Sequence, residues 1–209
     1  MALLDVEIDV WNRHREILEE IGVTLCISGP DTIGLCRDKL KLYRYMEKRM
    51  PGLLIPTRPL KEADPGELAY PVVCKPYNGR SSQGLYRIGS REQMELFLSQ
   101  AEVKDYIVQP QVEGLVVTAD VVRDREGKEC AVICRRELLR TLNGAGTSVE
   151  VFKNPGLEAV CRQAADILGI TGCVNFEFIE GGDGEYHMLE CNPRFAGGWS
   201  SPAWRAMTA

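Results

Sequence analysis

The stretch from Cys173 to Arg194, CVNFEFIEGGDGEYHMLECNPR, constrains the fold more than any other part of the 209-residue chain. Polar and apolar residues alternate on both sides of the turn signal GGDG, which predicts an antiparallel β-hairpin. Residues two apart in a strand share a face. One face of this hairpin would therefore carry Glu177 from the first strand, and Glu190 and Asn192 from the second.

The turn leaves two registers open for the two acidic residues. A two-residue turn at Asp183-Gly184 would pair Glu177 directly with Glu190, whereas a loop from 181 to 184 would make them diagonal neighbours on one face. Either register crowds two carboxylates together, and they repel unless a cation neutralises them. Mg²⁺ commonly takes one or two carboxylates plus substrate phosphates, so the hairpin predicts a metal–nucleotide site. A solvated polar sheet face would give the same alternation.

Composition argues against several classes of protein. The hydrophobic share of 44% and charged share of 26% are ordinary for a globular chain. No run approaches the ~20 apolar residues that a spanning helix needs, and MALLDVEIDVW is too short and too acidic for a signal peptide. The net charge of −5 argues against a nucleic-acid surface. The one basic exception, RRELLR from Arg135 to Arg140, suits a solvated strand edge equally well. We therefore expect a cytoplasmic protein with neither membrane nor nucleic acid as partner.

The cysteine and histidine content limits which metal sites, disulfides and catalytic groups the chain can have. Eight cysteines occur without a CxxC pair, mostly inside apolar runs, so we interpret them as reduced core residues rather than as disulfides or a zinc site. With only His14 and His187 present, histidine-based acid–base catalysis is poorly supported.

The first third of the chain predicts helices and one strand. VEIDVWNRHREILEEI shows a near 3.6-residue apolar period, so we expect a helix over 6–21 that ends at Gly22. VTLCIS predicts a short strand, and DTIGLCRDKLKLYRYMEKRM predicts one helix capped by Asp31 or Thr32. Three prolines mark residues 52–66 as a connector.

Later segments alternate hairpins with helices. VVCKP and LYRIG predict the two strands of a hairpin around the loop NGRSSQG. The next segment, SREQMELFLSQA, predicts a helix. It is followed by YIVQPQVEG, which predicts a strand with an inter-subdomain hinge at Pro110. VVTADVVRDREGKECAVICRREL predicts a long hairpin that turns at Glu126-Gly127. Asn143 to Gly146 would be a flexible loop, and GLEAVCRQAADILGI predicts an amphipathic helix.

Lys75 ends an apolar strand directly before the glycine- and serine-rich loop from Gly79 to Gly84. A lysine there is costly to order unless it meets an anion, and such a loop lets backbone N–H groups approach phosphate oxygens closely. The loop lacks the Walker GxxxxGK[ST] pattern and, on its own, is also typical of a plain turn. Lys39, in RDKLK, is by itself an ordinary helix-surface lysine.

These features occur in an order that resembles the ATP-grasp superfamily, in particular its carbamoyl-phosphate-synthetase-like branch. The resemblance rests on Asp38-Lys39, VVCKP with NGRSSQG, VQPQVEG before a long hairpin, NFEF and LECNPR, and it runs from about Cys36 to Gly198. It implies an α+β fold in which two α+β subdomains with mainly antiparallel sheets clamp a nucleotide. It divides the chain into the remnant of a preceding domain with its linker (1–37), a lid subdomain (38–110) and a C-terminal subdomain with the metal site (111–209).

The resemblance also implies a role for each candidate residue around ATP and Mg²⁺ or Mn²⁺. Lys39 and Lys75 would lie along the phosphates, and Glu177, Glu190 and Asn192 would hold the metal. Arg194 would neutralise the transferring γ-phosphoryl group, with Arg136 as a second catalytic candidate whose alternative is plain surface charge. The lid would comprise Gly79, Arg80, Ser81, Ser82, Gln83 and Gly84. Adenine would lie beside Gln109, Gln111 and Val112, read through backbone groups, and against Ile179 and Leu189.

Three features do not fit this pattern simply. Val116 stands where relatives usually carry an acidic residue for the ribose. Strict alternation puts Leu189 on the face opposite Glu190, so either a bulge or strong twist intervenes or one assignment is wrong. Residues 1–30 could hold only the last helix and strand of the front domain that relatives usually have.

The implied reaction has two steps. A carboxylate attacks the γ-phosphoryl group of Mg·ATP to give an acylphosphate, and an amine or other nucleophile then displaces phosphate. Such chemistry needs positioning and charge neutralisation more than an acid–base residue. We therefore predict an ATP-dependent ligase of small-molecule carboxylates and nucleophiles, working as a homodimer or with a missing N-terminal domain or partner subunit. The alternatives are an ATP-binding module without its own catalysis, and a carbamoyl- or carboxyphosphate-forming fragment.

Overall fold

Two antiparallel sheets organise the computed structural model, which describes residues 4–79, 82–100, 102–141 and 146–195. The smaller sheet has the strand order β1-β4-β2-β3 and the larger one β7-β6-β5-β8-β9. The strands are β1 (Arg58–Pro59), β2 (Val72–Pro76), β3 (Tyr86–Ile88), β4 (Tyr106–Pro110), β5 (Gly114–Arg123), β6 (Glu129–Arg140), β7 (Gly146–Phe152), β8 (Gly172–Gly181) and β9 (Tyr186–Asn192). The helices are α1 (Asp5–Arg13), α2 (Arg15–Glu20), α3 (Pro30–Cys36), α4 (Lys39–Met46), α5 (Arg91–Gln100) and α6 (Pro155–Ile167). The predicted α+β class with mainly antiparallel sheets is confirmed.

Alternation along the strands decides which face of the larger sheet is buried. In the middle of β5 and β8 every second residue is apolar and fully buried, and these residues form a core with α4 and α6. The core face carries Val117, Ala119, Val121, Val174, Phe176 and Phe178. The polar residues between them lie on the opposite face, which looks toward the smaller sheet and is called the cleft face below.

The smaller sheet contains the predicted hairpin of β2 and β3. Val72 pairs with Ile88 and Cys74 with Tyr86, and α5 contributes Met94 to the core beneath them. Alternate residues of β2 therefore enter this core, while Val73 and Lys75 point the other way, toward the larger sheet.

The N-terminal third departs from the sequence expectations. The predicted first helix is broken at His14 into α1 and α2. Residues 23–28 form no strand; Ser28 Oγ donates to the carbonyl of Thr171, just before β8, at 2.8 Å. The predicted helix over 31–50 is two helices, since the Asp38 carboxylate accepts bonds from the Leu40 and Lys41 amides (both 3.0 Å) and starts α4 anew.

Strand β7 was not anticipated from the sequence. It follows residues 142–145, which lie outside the described ranges, and it pairs with β6 through a register that shifts twice between Glu137 and Arg140. None of the helices in the described part of the chain has the length and apolar character of a membrane span.

Candidate active site

A cleft of about 820 Å³ lies between the two sheets. Its walls come from the β2–β3 hairpin, the segment between β4 and β5, and the cleft face of β5, β6, β8 and β9. The candidate residues that line it are Lys39, Lys75, Gly79, Ser82, Gln83, Gln109, Gln111, Val112, Ile179, Leu189, Glu177, Glu190, Asn192 and Arg194. Gly84 belongs to the same loop with φ of 70°, and a Cβ there would lie 2.7 Å from the Tyr106 hydroxyl. Arg80 and Ser81 lie outside the described residues.

Glu177 and Glu190 pair directly across β8 and β9, but neither predicted turn produces this pairing. The turn sets Glu180 opposite Tyr186 and Phe178 opposite Met188. Continued without interruption, that register would put Leu189 opposite Glu177 and would turn Glu190 toward the core. A β-bulge at Leu189 adds one residue and restores the carboxylate pair.

The same bulge removes the conflict over Leu189. Because the extra residue breaks strict alternation, Leu189 lines the cleft together with Glu190 instead of facing the core. Ile179, on the neighbouring strand β8, also lines the cleft. The apolar and acidic parts of this surface are therefore adjacent.

Glu190 is held by basic and amide groups. Lys39 Nζ lies 3.1 Å from its Oε2 and donates a 2.7 Å bond to the Gly79 carbonyl, and Asn192 Nδ2 donates to Oε1 at 3.3 Å. Burial alone would raise the pKa of Glu190, but the charges of Lys39 and Lys75 bring it well below its usual range. Glu190 is therefore ionised near neutral pH.

The pKa of Glu177 is shifted in the opposite direction from that of Glu190. Burial, followed by the neighbouring charge of Glu190, raises the pKa of Glu177 above its usual range, although Arg140 NH2 lies 2.7 Å from Oε1 and opposes the rise. The two carboxyls form a pair in which Glu177 takes up a proton more readily. An added cation would remove that tendency.

Lys75 faces this pair from the smaller sheet. The residue is 8% exposed, and burial lowers the pKa of Lys75 to about 8, with Lys39 lowering it further and Glu190 opposing the change. Its ammonium group has no hydrogen bond or ion pair within the described part of the chain. An anion in the cleft would give this buried charge a partner.

The side chains that could bind a metal here suit a cation that enters the cleft together with a phosphate-bearing ligand. Within the described ranges, no three or more His, Cys, Asp or Glu side chains converge to hold a metal ion. Two carboxylates and the Asn192 amide remain, and Mg²⁺ is typically held by one or two carboxylates while phosphates and water complete its shell. The residues present therefore fit a magnesium–nucleotide complex.

Arg194 lines the cleft but already has an acidic partner. Its Nε and NH2 lie 2.8 Å and 3.3 Å from the two oxygens of Asp5 in α1, and its NH1 donates to the Phe195 carbonyl at 3.0 Å. Arg37 also reaches Asp5 at 3.3 Å. The N-terminal helix thereby joins the wall of the cleft, although sequence reasoning assigned it no role there.

The structure does not bring Arg136 into the cleft, so that catalytic assignment is corrected. Arg136 pairs with the core residue Val117 and lies on the opposite face of β6. Its guanidinium binds both oxygens of Glu180 (2.7 and 3.0 Å) and one of Glu150 (3.2 Å). It also stacks 4.3 Å from the centre of the Phe152 ring. Its contacts are those of a structural residue.

Arg135 and Arg140 line the cleft instead, and sequence reasoning missed both. Arg135 is in register with Thr118, and its NH2 lies 2.6 Å from buried Asp120. The polar alternation Thr118, Asp120 in β5 could have indicated which face of β6 enters the cleft. No such signal existed for Arg140, because the register of β6 shifts just before it.

In the segment proposed to lie beside adenine, one side chain is already engaged within the fold. Gln109 is buried, and its side-chain amide donates to Thr57 Oγ1 at 2.6 Å, so its side chain is already used within the fold. Val116 lines the cleft and is in register with Ile179 on β8, and Glu137 on the neighbouring strand β6 lines the same cleft. The carboxylate absent from position 116 is therefore present one strand away.

Comparison with known proteins finds a matching family model and similar sequences. A family model described as the ATP-grasp domain matches residues 36–198. The arginine-specific large chain of carbamoyl phosphate synthase from Geobacillus stearothermophilus is 25% identical over an alignment of 189 residues, and the match covers 85% of this chain and 18% of that protein. D-alanine–D-alanine ligase from Francisella philomiragia is 25% identical over an alignment of 192 residues, and the match covers 86% of this chain and 64% of that protein. The chain thus spans less than two thirds of either relative.

Solved structures with the same fold include two enzymes. A biotin carboxylase from Campylobacter jejuni superimposes with a TM-score of 0.75 at 18% identity, covering 90% of this chain and 47% of that one. A D-alanine–D-alanine ligase from Bacillus anthracis superimposes with a TM-score of 0.68 at 19% identity, covering 92% and 69%. At these identities the likeness establishes the fold alone.

Proposed function

The chain belongs to the ATP-grasp domain family, and from that premise we propose that it is an ATP-dependent ligase that joins a small-molecule carboxylate to an amine or other nucleophile. The observation that carries the proposal is the direct pairing of Glu177 with Glu190 on the cleft face, with Lys39 and Lys75 beside it. Two carboxylates next to two ammonium groups suit a metal bound to phosphates.

Each wall of the cleft has a part in this proposal. Glu177, Glu190 and Asn192 would hold Mg²⁺, which, when bound, neutralises charge on the phosphates. Lys39 and Lys75 would anchor the phosphate oxygens, and the loop from Gly79 to Gly84 would cover them. Adenine would lie against Ile179 and Leu189, beside residues 109–112. The subdomain division at Pro110, into 38–110 and 111–209, is proposed on the same basis.

The reaction would proceed through an acylphosphate. An oxygen of the acceptor carboxylate bonds to the γ-phosphorus as the β,γ-bridging bond breaks and ADP leaves. The nucleophile then attacks the acyl carbon, and inorganic phosphate departs with the electron pair of the acyl–oxygen bond. Arg194 would neutralise the charge on the transferred group, which is the main requirement of phosphoryl transfer. The names of the relatives, a D-alanine–D-alanine ligase and a carbamoyl phosphate synthase chain, accord with such a reaction.

A two-stage assay tests the proposal. Calorimetry should first detect Mg·ATP binding, and phosphate release should then be screened over amino acids, other small carboxylates and bicarbonate, each with and without an amine. We expect one combination to release phosphate, and the release should disappear in Glu190→Gln. A cleft that binds no Mg·ATP would refute the proposal.

A second candidate function is nucleotide binding without independent catalysis. The bidentate contact of Arg194 with Asp5 favours it, because a guanidinium held by an internal carboxylate is less available to a substrate. Tight Mg·ATP binding with no phosphate release over the whole screen would favour this module over the ligase. Release in Asp5→Asn but not in the unaltered chain would point to a catalytic site restrained by α1.

A further inference from the structure

Two buried thiols contact each other on the core side of β9, behind the residues proposed to hold the metal. The thiol of Cys191 donates to Cys36 Sγ at 3.3 Å, although the two residues are 155 positions apart in the chain. Cys36 is the last residue of α3, and Cys191 lies on β9 between Glu190 and Asn192. Among the residues that the structure describes, no other pair of cysteines is in hydrogen-bond contact.

A small cavity reaches both thiols. Its volume of about 30 Å³ is roughly twice what one water molecule needs, so it can hold a molecule as small as hydrogen peroxide. The cavity adjoins the cleft, because Lys39 and Gly79 line both. Nearby cations favour the thiolate, which is the reactive form of cysteine. The charged residues around the cavity are the cations Arg37, Lys39 and Arg194 and the carboxylates Asp5 and Glu190.

We propose that Cys36 and Cys191 form a redox-modification site, at which oxidation to a disulfide weakens the binding of Mg·ATP in the cleft. The effect on the nucleotide rests on the proposed function, whereas formation of the disulfide does not. Where cellular thiols are kept reduced, a disulfide is usually transient and redox-sensing. The pair would therefore couple the activity of the cleft to the level of oxidant.

The oxidant assigned to this step is hydrogen peroxide. Cys36 reacts first, since it is 5% exposed and Cys191 only 1%. The Cys36 sulfur attacks one peroxide oxygen, the O–O bond breaks and water leaves, which gives a sulfenic acid. The Cys191 sulfur then attacks the Cys36 sulfur, the S–O bond breaks, and a second water departs as the S–S bond forms. Two electrons pass to the peroxide, and the two thiol protons end in the two waters.

Closing this bond moves the strand that carries the proposed metal ligands. Disulfide sulfurs lie about 2.05 Å apart, so these two atoms, now 3.3 Å apart, must approach by more than about 1 Å. Both side chains are packed within the core, which leaves them little freedom to absorb the movement alone. We expect β9 to shift with Cys191 and to carry Glu190 and Asn192 along. A binding site tolerates only about 0.5 Å of such displacement.

The experiment compares the reduced and the peroxide-treated chain by peptide mass spectrometry and by calorimetry with Mg·ATP. Peroxide should link the peptides that contain Cys36 and Cys191 and should weaken Mg·ATP binding about tenfold or more. Dithiothreitol should reverse both changes. Cys36→Ala should bind Mg·ATP as the reduced unaltered chain does and should keep that affinity after peroxide.

Two matched controls remove other thiols. Cys161→Ala removes a buried thiol of α6 from the same core, and Cys26→Ala removes an exposed one. Both variants keep the proposed pair, so peroxide should weaken their binding of Mg·ATP as it does in the unaltered chain. If Cys36→Ala does not fold, Cys36→Ser gives the same test, because serine is close to cysteine in size and cannot form a disulfide.

The outcomes separate this inference from the proposed function. A reduced chain that binds no Mg·ATP would overturn the proposed function and, with it, the regulatory role of the thiol pair. If the reduced chain binds Mg·ATP, the absence of a link between Cys36 and Cys191 after peroxide would overturn this inference alone. A link that leaves the affinity unchanged would do the same, and so would an equal loss of affinity in Cys36→Ala.

Discussion

The two faces of the five-stranded sheet are built from the same strands but have different roles: one forms the hydrophobic core and the other lines the cleft. Along β8, Phe176 and Phe178 are fully buried against α6 and α4, while Asn175 and Glu177 alternate with them toward the cleft. The core face holds apolar groups that gain from leaving water. The cleft face holds charged groups that are partly withdrawn from water and paired with one another.

This difference separates stability from function. Each buried aromatic side chain contributes about 1.5–3 kcal/mol of transfer free energy. The ion pairs of the cleft face add little net stability, because desolvation of each charge offsets most of the attraction. Substitutions on the core face should therefore lower the free energy of unfolding and spare nucleotide affinity, whereas substitutions of the cleft residues proposed to contact the nucleotide should chiefly lower that affinity.

The largest expected effect is that of Phe176→Ala on the core face. The variant leaves a cavity beneath the sheet, and we expect the free energy of unfolding to fall by about 3–5 kcal/mol. Urea unfolding, followed by circular dichroism, measures the change. The fraction that stays folded should bind Mg·ATP as the unaltered chain does, and a large loss of affinity would show that the two faces are coupled.

On the cleft face, Glu190→Gln should abolish turnover while sparing the fold. Loss of one carboxylate from the proposed metal site removes charge that the reaction requires, and we expect phosphate release to drop at least about 100-fold. Thermal unfolding should move by only a few degrees, because Lys39 keeps its bond to the Gly79 carbonyl. Retained turnover in this variant would contradict the metal assignment.

Lys75 should make nucleotide binding sensitive to alkaline pH. Burial holds the pKa of Lys75 at about 8, below its ordinary value, so the charged form prevails below that pH and is lost above it. Affinity for Mg·ATP should therefore be full below about pH 8 and fall by up to roughly tenfold per pH unit above it. Lys75→Met should bind weakly at every pH and lack this dependence. A parallel decline in the variant would assign the pH effect to another group.

The smallest expected effect contrasts two adjacent residues of β9. Met188 faces the core and Leu189 occupies the bulge in the cleft. Leu189→Ala should weaken ATP binding by about 1 kcal/mol, through lost apolar contact with the base, and should leave inorganic triphosphate binding unchanged. Met188→Ala is its control and should lower stability instead. Equal losses of affinity for ATP and for triphosphate would show that the base does not contact Leu189.

Much of this arrangement could be predicted from local sequence. The alternation in NFEF and LECN predicts a hairpin with two carboxylates on one face, and the Gly79–Gly84 loop marks the tip of the other hairpin. The assignment of Arg136 failed because one residue of error along a strand exchanges its faces. Arg135, the adjacent residue, is the one that enters the cleft.

What the sequence determined by itself is the period of each strand, because side chains alternate through the geometry of the chain alone. The tertiary structure decided the strand register and which side chains from distant parts of the chain come into contact. The turn of the last hairpin would have opposed Glu177 with Leu189, and only the β-bulge restores the carboxylate pair. The bulge follows Met188, whose amide donates to the Leu53 carbonyl at 2.8 Å. The contacts of Asp5 with Arg194 and of Arg140 with Glu177 join residues far apart in the chain, so no local pattern encodes them. They depend on which strands become neighbours, and that is settled by burial of the whole core.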